Sequence, residues 1–269
     1  MNSYKKIINH LTDYKTKNFP DIPDGTYRGK TYGHILSKPY QLENFIRTYR
    51  NDILSSRLYS LDKLHIYFHH LNSSQAMCIN FFFPLCQEHK LEVVTDFLGL
   101  QNEKVNYDTV CFEKEGKDGE GGRRPTKFDF YFETLSKKKI FFEIKYTENE
   151  FGKAKNDADH IDKYDNVYSK YLLPINSNYR SREQFFDNYQ ILRNLIHIDK
   201  NSFVVFLYPS ENKRINAGAE KAKSELLTAS FKDNFFAVTW EKLFEAVFNS
   251  ATETKLKFHL TEFKEKYLP

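Results

Sequence analysis

The chain has 269 residues, 40% of them apolar and 28% charged, a composition typical of soluble globular proteins. A net charge of +4 is too mild to argue for nucleic acid by itself, so a phosphate-binding face depends on how the 40 Lys and Arg are placed. No stretch approaches ~18 consecutive apolar residues, Cys78, Cys86 and Cys111 lack CxxC spacing, and the N-terminus lacks an apolar signal-peptide core. A membrane span, a zinc or disulfide framework and secretion are therefore not expected, and a reducing cytoplasm is.

Residues 2–18 predict a short helix with Ile7, Ile8 and Leu11 on one side. Residues 19–38 hold two Pro and three Gly and read as a loop laid over the domain. Residues 39–59 and 61–72 predict two helices. The second would set His65 and His69 at i, i+4, a spacing able to clasp a metal. No catalytic Glu accompanies them, so packed histidines are expected. Ser73 or Ser74 is a candidate N-cap for a continuously apolar, buried helix. Its polar exceptions, Gln75 and Asn80, read either as interhelical hydrogen bonds or as groups orienting a site. Residues 87–98 predict a helix with Glu88 and Glu92 on a solvated face. Residues 105–115 predict a strand, and KEGKDGEGGRRP (114–125) then reads as a loop on which Arg123 and Arg124 are candidate phosphate contacts.

Residues 126–148 are the most informative stretch. Phe128, Phe130 and Phe132 alternate with Asp129, Tyr131 and Glu133, and Ile140, Phe142 and Ile144 share a face opposite Glu143 and Lys145. Such period-2 alternation marks two half-buried strands, joined by a lysine-rich connection from Glu133 to Lys139. Aligning both apolar faces sets Asp129 opposite Glu143, because a one-residue slip would turn one apolar face to water. Like charges so placed, with Cβ atoms about 4.5–5.5 Å apart, destabilise the pair unless a cation neutralises them. Magnesium suits such carboxylates, and Lys145, on the same face, can stabilise developing phosphoryl charge.

Downstream, residues 158–171 predict a helix, 188–198 an amphipathic helix with Gln190 and Arg193 at i, i+3, and 202–209 a fully buried strand. A helix over 216–228, a strand over 235–240 and two C-terminal helices complete the reading, with no linker or repeat between domains.

Asp129 followed by Glu143-Ile144-Lys145 resembles the Asp…(Asp/Glu)-x-Lys signature of the PD-(D/E)XK nuclease superfamily. Phe128 stands where the motif's proline would, with Pro125 nearby. HHLNSSQAMCINFFFPL (69–85), TKFDFYFE…IFFEIKYTE and the pair NYQILRN (188–194) with FVVFLYPSEN (203–212) are similar, in the same order, to a group of bacterial restriction endonucleases within it. That resemblance implies magnesium-dependent DNA hydrolysis, with manganese as a substitute. It implies Asp129 and Glu143 as metal ligands, Lys145 as the catalytic lysine and Glu113 as a further acidic candidate. It makes Gln190 and Arg193 candidates beside the site, to be added to Gln75, Arg123 and Arg124, which are candidates from the residues alone. The expected architecture is α/β: one domain over 1–269, its catalytic core near 73–240, with a restriction endonuclease-like central mixed sheet, flanking helices and an N-terminal helical portion. DNA is the expected partner, with a cognate DNA methyltransferase in the same system and a homodimer if the site is palindromic. An RNase or structure-specific repair nuclease of the same fold, and a non-catalytic nucleic-acid-binding module, are the rival readings.

Overall fold

Helical spacing of apolar residues builds the first element, α1 (Ser3–Asn18), in which Ile7 and Leu11 are buried. The computed structural model describes residues 3–58, 60–119 and 124–269. The chain divides into two compact units, Met1–Glu103 with Trp240–Pro269, and Lys104–Thr239.

In the first unit, the segment expected to be a loop is instead an antiparallel hairpin, β1 (Asp24–Tyr27) and β2 (Lys30–Leu36). Its connection is Arg28–Gly29, both at positive φ (50° and 75°), as a two-residue type I′ turn requires. Arg in place of the usual Asn hid that turn in the sequence. Gly25 is also needed there, since a Cβ would sit 2.3 Å from the Leu36 carbonyl oxygen. The helix expected over 39–59 is split into a 3-10 turn, Lys38–Asn44, and α2 (Arg47–Ser55). The helix expected over 61–72 is only a 3-10 turn at Leu61–Lys63, because the residues beyond it form separate short turns and pair with β2 through His69 and Leu71. His65 and His69 therefore do not share a helix face. Ser73 caps α3 (Ser74–Gln87), its Oγ accepting from the Ala76 N–H at 3.2 Å. The helix expected over 87–98 shortens to α4 (Glu92–Phe97), since Glu88 instead closes α3 and accepts from the Tyr49 hydroxyl.

The second unit is a five-stranded mixed sheet in sequence order: β3 (Val105–Glu115), β4 (Lys127–Thr134), β5 (Lys139–Ile144), β6 (Ser202–Tyr208) and β7 (Phe235–Thr239). The first three strands are antiparallel, and β5–β6 and β6–β7 are parallel. Parallel neighbours need crossovers. α5 (Ala158–Asn166), α6 (Arg182–Asp187) and α7 (Tyr189–Leu195) span the first, and α8 (Lys213–Lys221) the second. These crossovers supply Tyr164, Phe185, Leu192, Leu195 and Ile215 to an apolar cluster with Tyr131, Phe141, Val204 and Phe206 of the sheet. All seven residues of β6 are buried, as its continuous apolar run requires.

The motif hairpin departs from expectation in one respect. Its register is the expected one, with Phe130 opposite Phe142 and Phe132 opposite Ile140. However, Tyr131 (3% exposed) and Phe141 (8%) are buried too, so the hairpin is covered on both faces rather than one. Phe128 also leaves the face of Phe130 and Phe132: its ring lies 4.8 Å from that of Phe141 and 5.0 Å from that of His197. The paired ladder stops at Phe130–Phe142, and one residue earlier the alternation breaks.

After β7 the chain passes straight into α9 (Trp240–Ser250) and then α10 (Thr254–Tyr267) of the first unit. There α3 is tied in by Asn80, whose Oδ1 accepts from the Ile46 N–H (2.9 Å) and whose Nδ2 donates to the Asn44 carbonyl (3.0 Å) and Tyr267 hydroxyl (2.9 Å). Asn80 is thus an interhelical brace. Among the described residues no helix is long and apolar enough to cross a membrane.

Candidate active site

The break in β4 is what builds the site. A regular ladder would send the Ile144 N–H to a β4 carbonyl; here it donates to the Asp129 carboxylate at 2.6 Å. Continuing the observed register by one rung sets Asp129 against Glu143 on one side and, between Phe112–Phe130 and Lys114–Phe128, against Glu113 on the other. Glu113 has φ of 55°, a left-handed backbone uncommon for a side chain of its type. Burial first, then repulsion from Glu143 and Glu113, raises the Asp129 carboxyl well above the usual carboxylate range.

Lys145 Nζ lies 2.7 Å from Glu143 Oε1, with both residues buried (6% and 7% exposed). Burial pulls the Lys145 ammonium down, but Glu143, Glu148 and Asp129 outweigh it and leave it above its ordinary value. Its approach is packed against the Phe151 ring, 5.7 Å from Nζ. Gln190 on α7 donates from Nε2 to Glu143 Oε1 at 3.3 Å. The same side chain accepts from the Gly152 N–H (2.9 Å), and the Gln190 N–H donates to the Gly152 carbonyl (3.0 Å), which fixes the segment leaving β5.

Arg193, one turn on from Gln190, has its Nε buried without a hydrogen-bond partner, and its guanidinium lies 5.6 Å from the Tyr189 ring centre. Burial opposes its charge, but Tyr168, Tyr189 and Glu143 outweigh burial and raise its pKa. Arg193, Arg124, Lys127, Lys163, Glu113 and Tyr189 line a groove of about 860 Å³. Arg123 lies outside the described residues. Gln75 belongs to the first unit, where it accepts from the His65 N–H (2.8 Å) and donates to the Lys63 carbonyl (3.0 Å).

Among the described residues no three His, Cys, Asp or Glu side chains gather as a metal-holding group, although the register sets Glu113 beside Asp129. Asp129 and Glu143 are still a pair of hard oxygen donors, and one or two carboxylates are magnesium's usual protein complement. The raised Asp129 pKa comes first from burial and then from the carboxylates of Glu143 and Glu113, which Lys145 does not fully offset. That donor set fits a divalent cation.

Residues 8–268 match the family model described as Restriction Endonuclease associating with ARP. The chain belongs to this family. No curated protein and no solved structure matches the chain. In this restriction endonuclease family member the mixed five-stranded sheet, with its motif strands adjacent, carries the nuclease signature on one unit.

Sequence reading passed over two residues of this family member, Glu148 and Asp118. Glu148 accepts from the Tyr146 N–H at 2.6 Å and adds to the field on Lys145. Asp118 is fully buried, accepting from the Thr126 N–H and hydroxyl (2.8 Å each) and facing Lys163 Nζ and His197 Nε2 at 3.4 Å. Burial opposes the Asp118 charge, but His197 and Thr126 outweigh it and hold the carboxyl well below its ordinary value. Asp118 thereby ties the loop before β4 to α5 and to the end of α7, the segments that line the groove. Its isolated Asp-Gly in a charged, glycine-rich stretch offered no signal beyond a turn.

Proposed function

We propose that this protein hydrolyses DNA phosphodiester bonds as a restriction-type endonuclease, with magnesium or manganese held by Asp129 and Glu143. The observation that carries the reading is the junction of Asp129, Glu143 and Lys145 at the end of the β4–β5 ladder, in a chain of a nuclease family. A bound divalent cation supplies Lewis acidity toward a phosphoryl oxygen and a water acidified for attack. The protein's own residues do the rest. Asp129 is held rigid by the Ile144 N–H, and Glu143 is aimed by Lys145 and Gln190. The Lys145 ammonium places positive charge where the pentacoordinate phosphorus gathers negative charge, without reorganising during the step. Arg193 and the cations of the groove hold the strand's phosphates in register.

The test is cleavage of linear and circular DNA, against RNA, with magnesium, manganese, calcium or excess EDTA. DNA cleavage with the first two, and binding with little hydrolysis in calcium, is the expected pattern. Full activity in EDTA overturns the metal assignment, and cleavage of RNA alone overturns the substrate. A methyltransferase encoded beside this chain would mark it as the restriction half of a modification system.

A further inference from the structure

A second gathering of chemically distinctive side chains lies in the first unit, at the tip of the β1–β2 hairpin and the segment beside it. The Leu36 N–H donates to the His69 carbonyl and the Leu71 N–H to the His34 carbonyl, both at 3.0 Å, so residues 69–71 run along β2. Two turns, Phe68 N–H to His65 carbonyl (2.8 Å) and His70 N–H to Tyr67 carbonyl (2.9 Å), hold the preceding residues in one shape. Lys38 Nζ donates to the Ile66 carbonyl at 2.6 Å and fixes the tip further. This well-bonded segment nevertheless leaves Ile66 65% and Tyr67 41% exposed. The Tyr67 ring stands 5.2 Å from Tyr27 and 5.1 Å from His70, a rigid aromatic support behind an apolar tip.

The surroundings are positive. Arg28 and Lys30 are exposed at the turn, and among the described residues neither they nor Lys38 meet a carboxylate. Burial first, and then the neighbouring His69, His34, Lys38 and His65, press the His70 pKa down to about 4, so its ring is neutral near pH 7 and the positive charge of this face is that of Arg28, Lys30 and Lys38. The turn adds an independent observation. Its first residue stands at φ of 50°, where Asn is the favoured partner of a following Gly, yet the chain carries Arg. A long cation at this backbone position points to a role for the side chain itself.

We infer that this face of the first unit is a DNA-contact surface, on which Arg28, Lys30 and Lys38 take phosphates and the Ile66–Tyr67 tip presses into the minor groove. Minor-groove proteins combine these parts, an apolar wedge flanked by cations, and they bend the duplex. A two-residue apolar tip is far too small for a stable protein interface, which takes about 800 Å² per partner. Cations without acidic partners instead call for a polyanion.

The inference rests on DNA being the substrate, and its test keeps the two apart. Binding of a fluorescent duplex is measured by anisotropy from 50 to 200 mM salt, roughly the range over which phosphate contacts are lost, in the full chain carrying Asp129→Asn. Adding Arg28→Asn with Lys30→Gln should weaken binding about tenfold at 0.1 M salt and reduce the slope of log K against log salt by roughly 1.8, two phosphates' worth. Asn suits the turn, so the melting temperature should hold or rise. Ile66→Ala with Tyr67→Ala should leave the slope unchanged while reducing duplex bending read by end-to-end energy transfer. If the parent cleaves DNA but the Arg28–Lys30 variant binds with parental affinity and slope, this inference fails and the nuclease reading stands. If the parent neither binds nor cleaves duplex DNA, both fail.

Discussion

Lys145 in the sheet unit and Lys266 in the first unit are both buried, at 6% and 1% exposed, yet their surroundings push them in opposite directions. Lys145 faces carboxylates, which more than cancel its desolvation and raise its pKa. Lys266 donates to the Asn44 side-chain oxygen (2.7 Å) and to the Asn44 carbonyl. Burial, followed by Arg50, drives it well below its ordinary value despite Glu262. The difference teaches how to tell a charged site from a structural brace. A buried ammonium held positive has carboxylates around it and a field to offer a substrate; one held by amide oxygens only satisfies backbone groups.

The comparison breaks most visibly at Asp129. Asp129→Asn keeps an acceptor for the Ile144 N–H but removes a metal-binding charge, so cleavage should fall by at least about 10³-fold. Relief of its repulsion with Glu143 should leave stability equal or up to ~1 kcal/mol higher in urea unfolding. Appreciable cleavage by this variant at saturating magnesium would remove Asp129 from the site.

Lys145→Met comes next. The rate of the chemical step, measured in single turnover, should drop about 10²–10³-fold while DNA affinity changes only a few-fold. Because Glu143 is buried beside it, stability should also fall, by ~3–5 kcal/mol if the buried pair is broken outright. A parental cleavage rate would reduce Lys145 to the status of Lys266. Gln190→Ala removes only the group that aims Glu143 and braces Gly152, so a loss of about 10–100-fold is expected, together with a higher magnesium requirement. An unchanged magnesium titration would show that Gln190 merely closes the loop after β5.

Lys266→Met is the smallest effect on function and the sharpest on pH. Its folded pKa lies below the ~10.4 of an unfolded lysine, so between those two values the unfolded chain binds the extra proton. Parental stability should therefore rise with pH across that window and level off above it. The variant should lose that rise, keep cleavage within about twofold of the parent, and differ in stability by under ~1.5 kcal/mol. A parental pH dependence in the variant would assign the titration to another group.

The sheet and its central register were legible because period-2 patterning has one solution when an apolar face must be buried: Phe130 against Phe142, Phe132 against Ile140. The same logic misplaced Phe128, since periodicity carries no sign that a side-chain carboxylate will replace a ladder carbonyl at Asp129. The β1–β2 hairpin was missed because its turn uses Arg-Gly. The helix expected over 61–72 was lost to tertiary pairing with β2, which local propensity cannot register. The expected single domain had no linker to contradict it, because β7 ends at Thr239 and α9 begins at Trp240.

By itself the sequence determined that the two motif strands pair, in what register, and hence that Asp129, Glu143 and Lys145 come together, because alternation and motif spacing are local properties. Only the tertiary structure decided that this cluster is buried beneath α7, that Gln190 reaches Glu143 while Gln75 serves the first unit, and that Asp118 anchors the groove. Those outcomes depend on crossover helices returning over the sheet from tens of residues away. Burial and electrostatic partnership are set by such returns, and no local pattern encodes them.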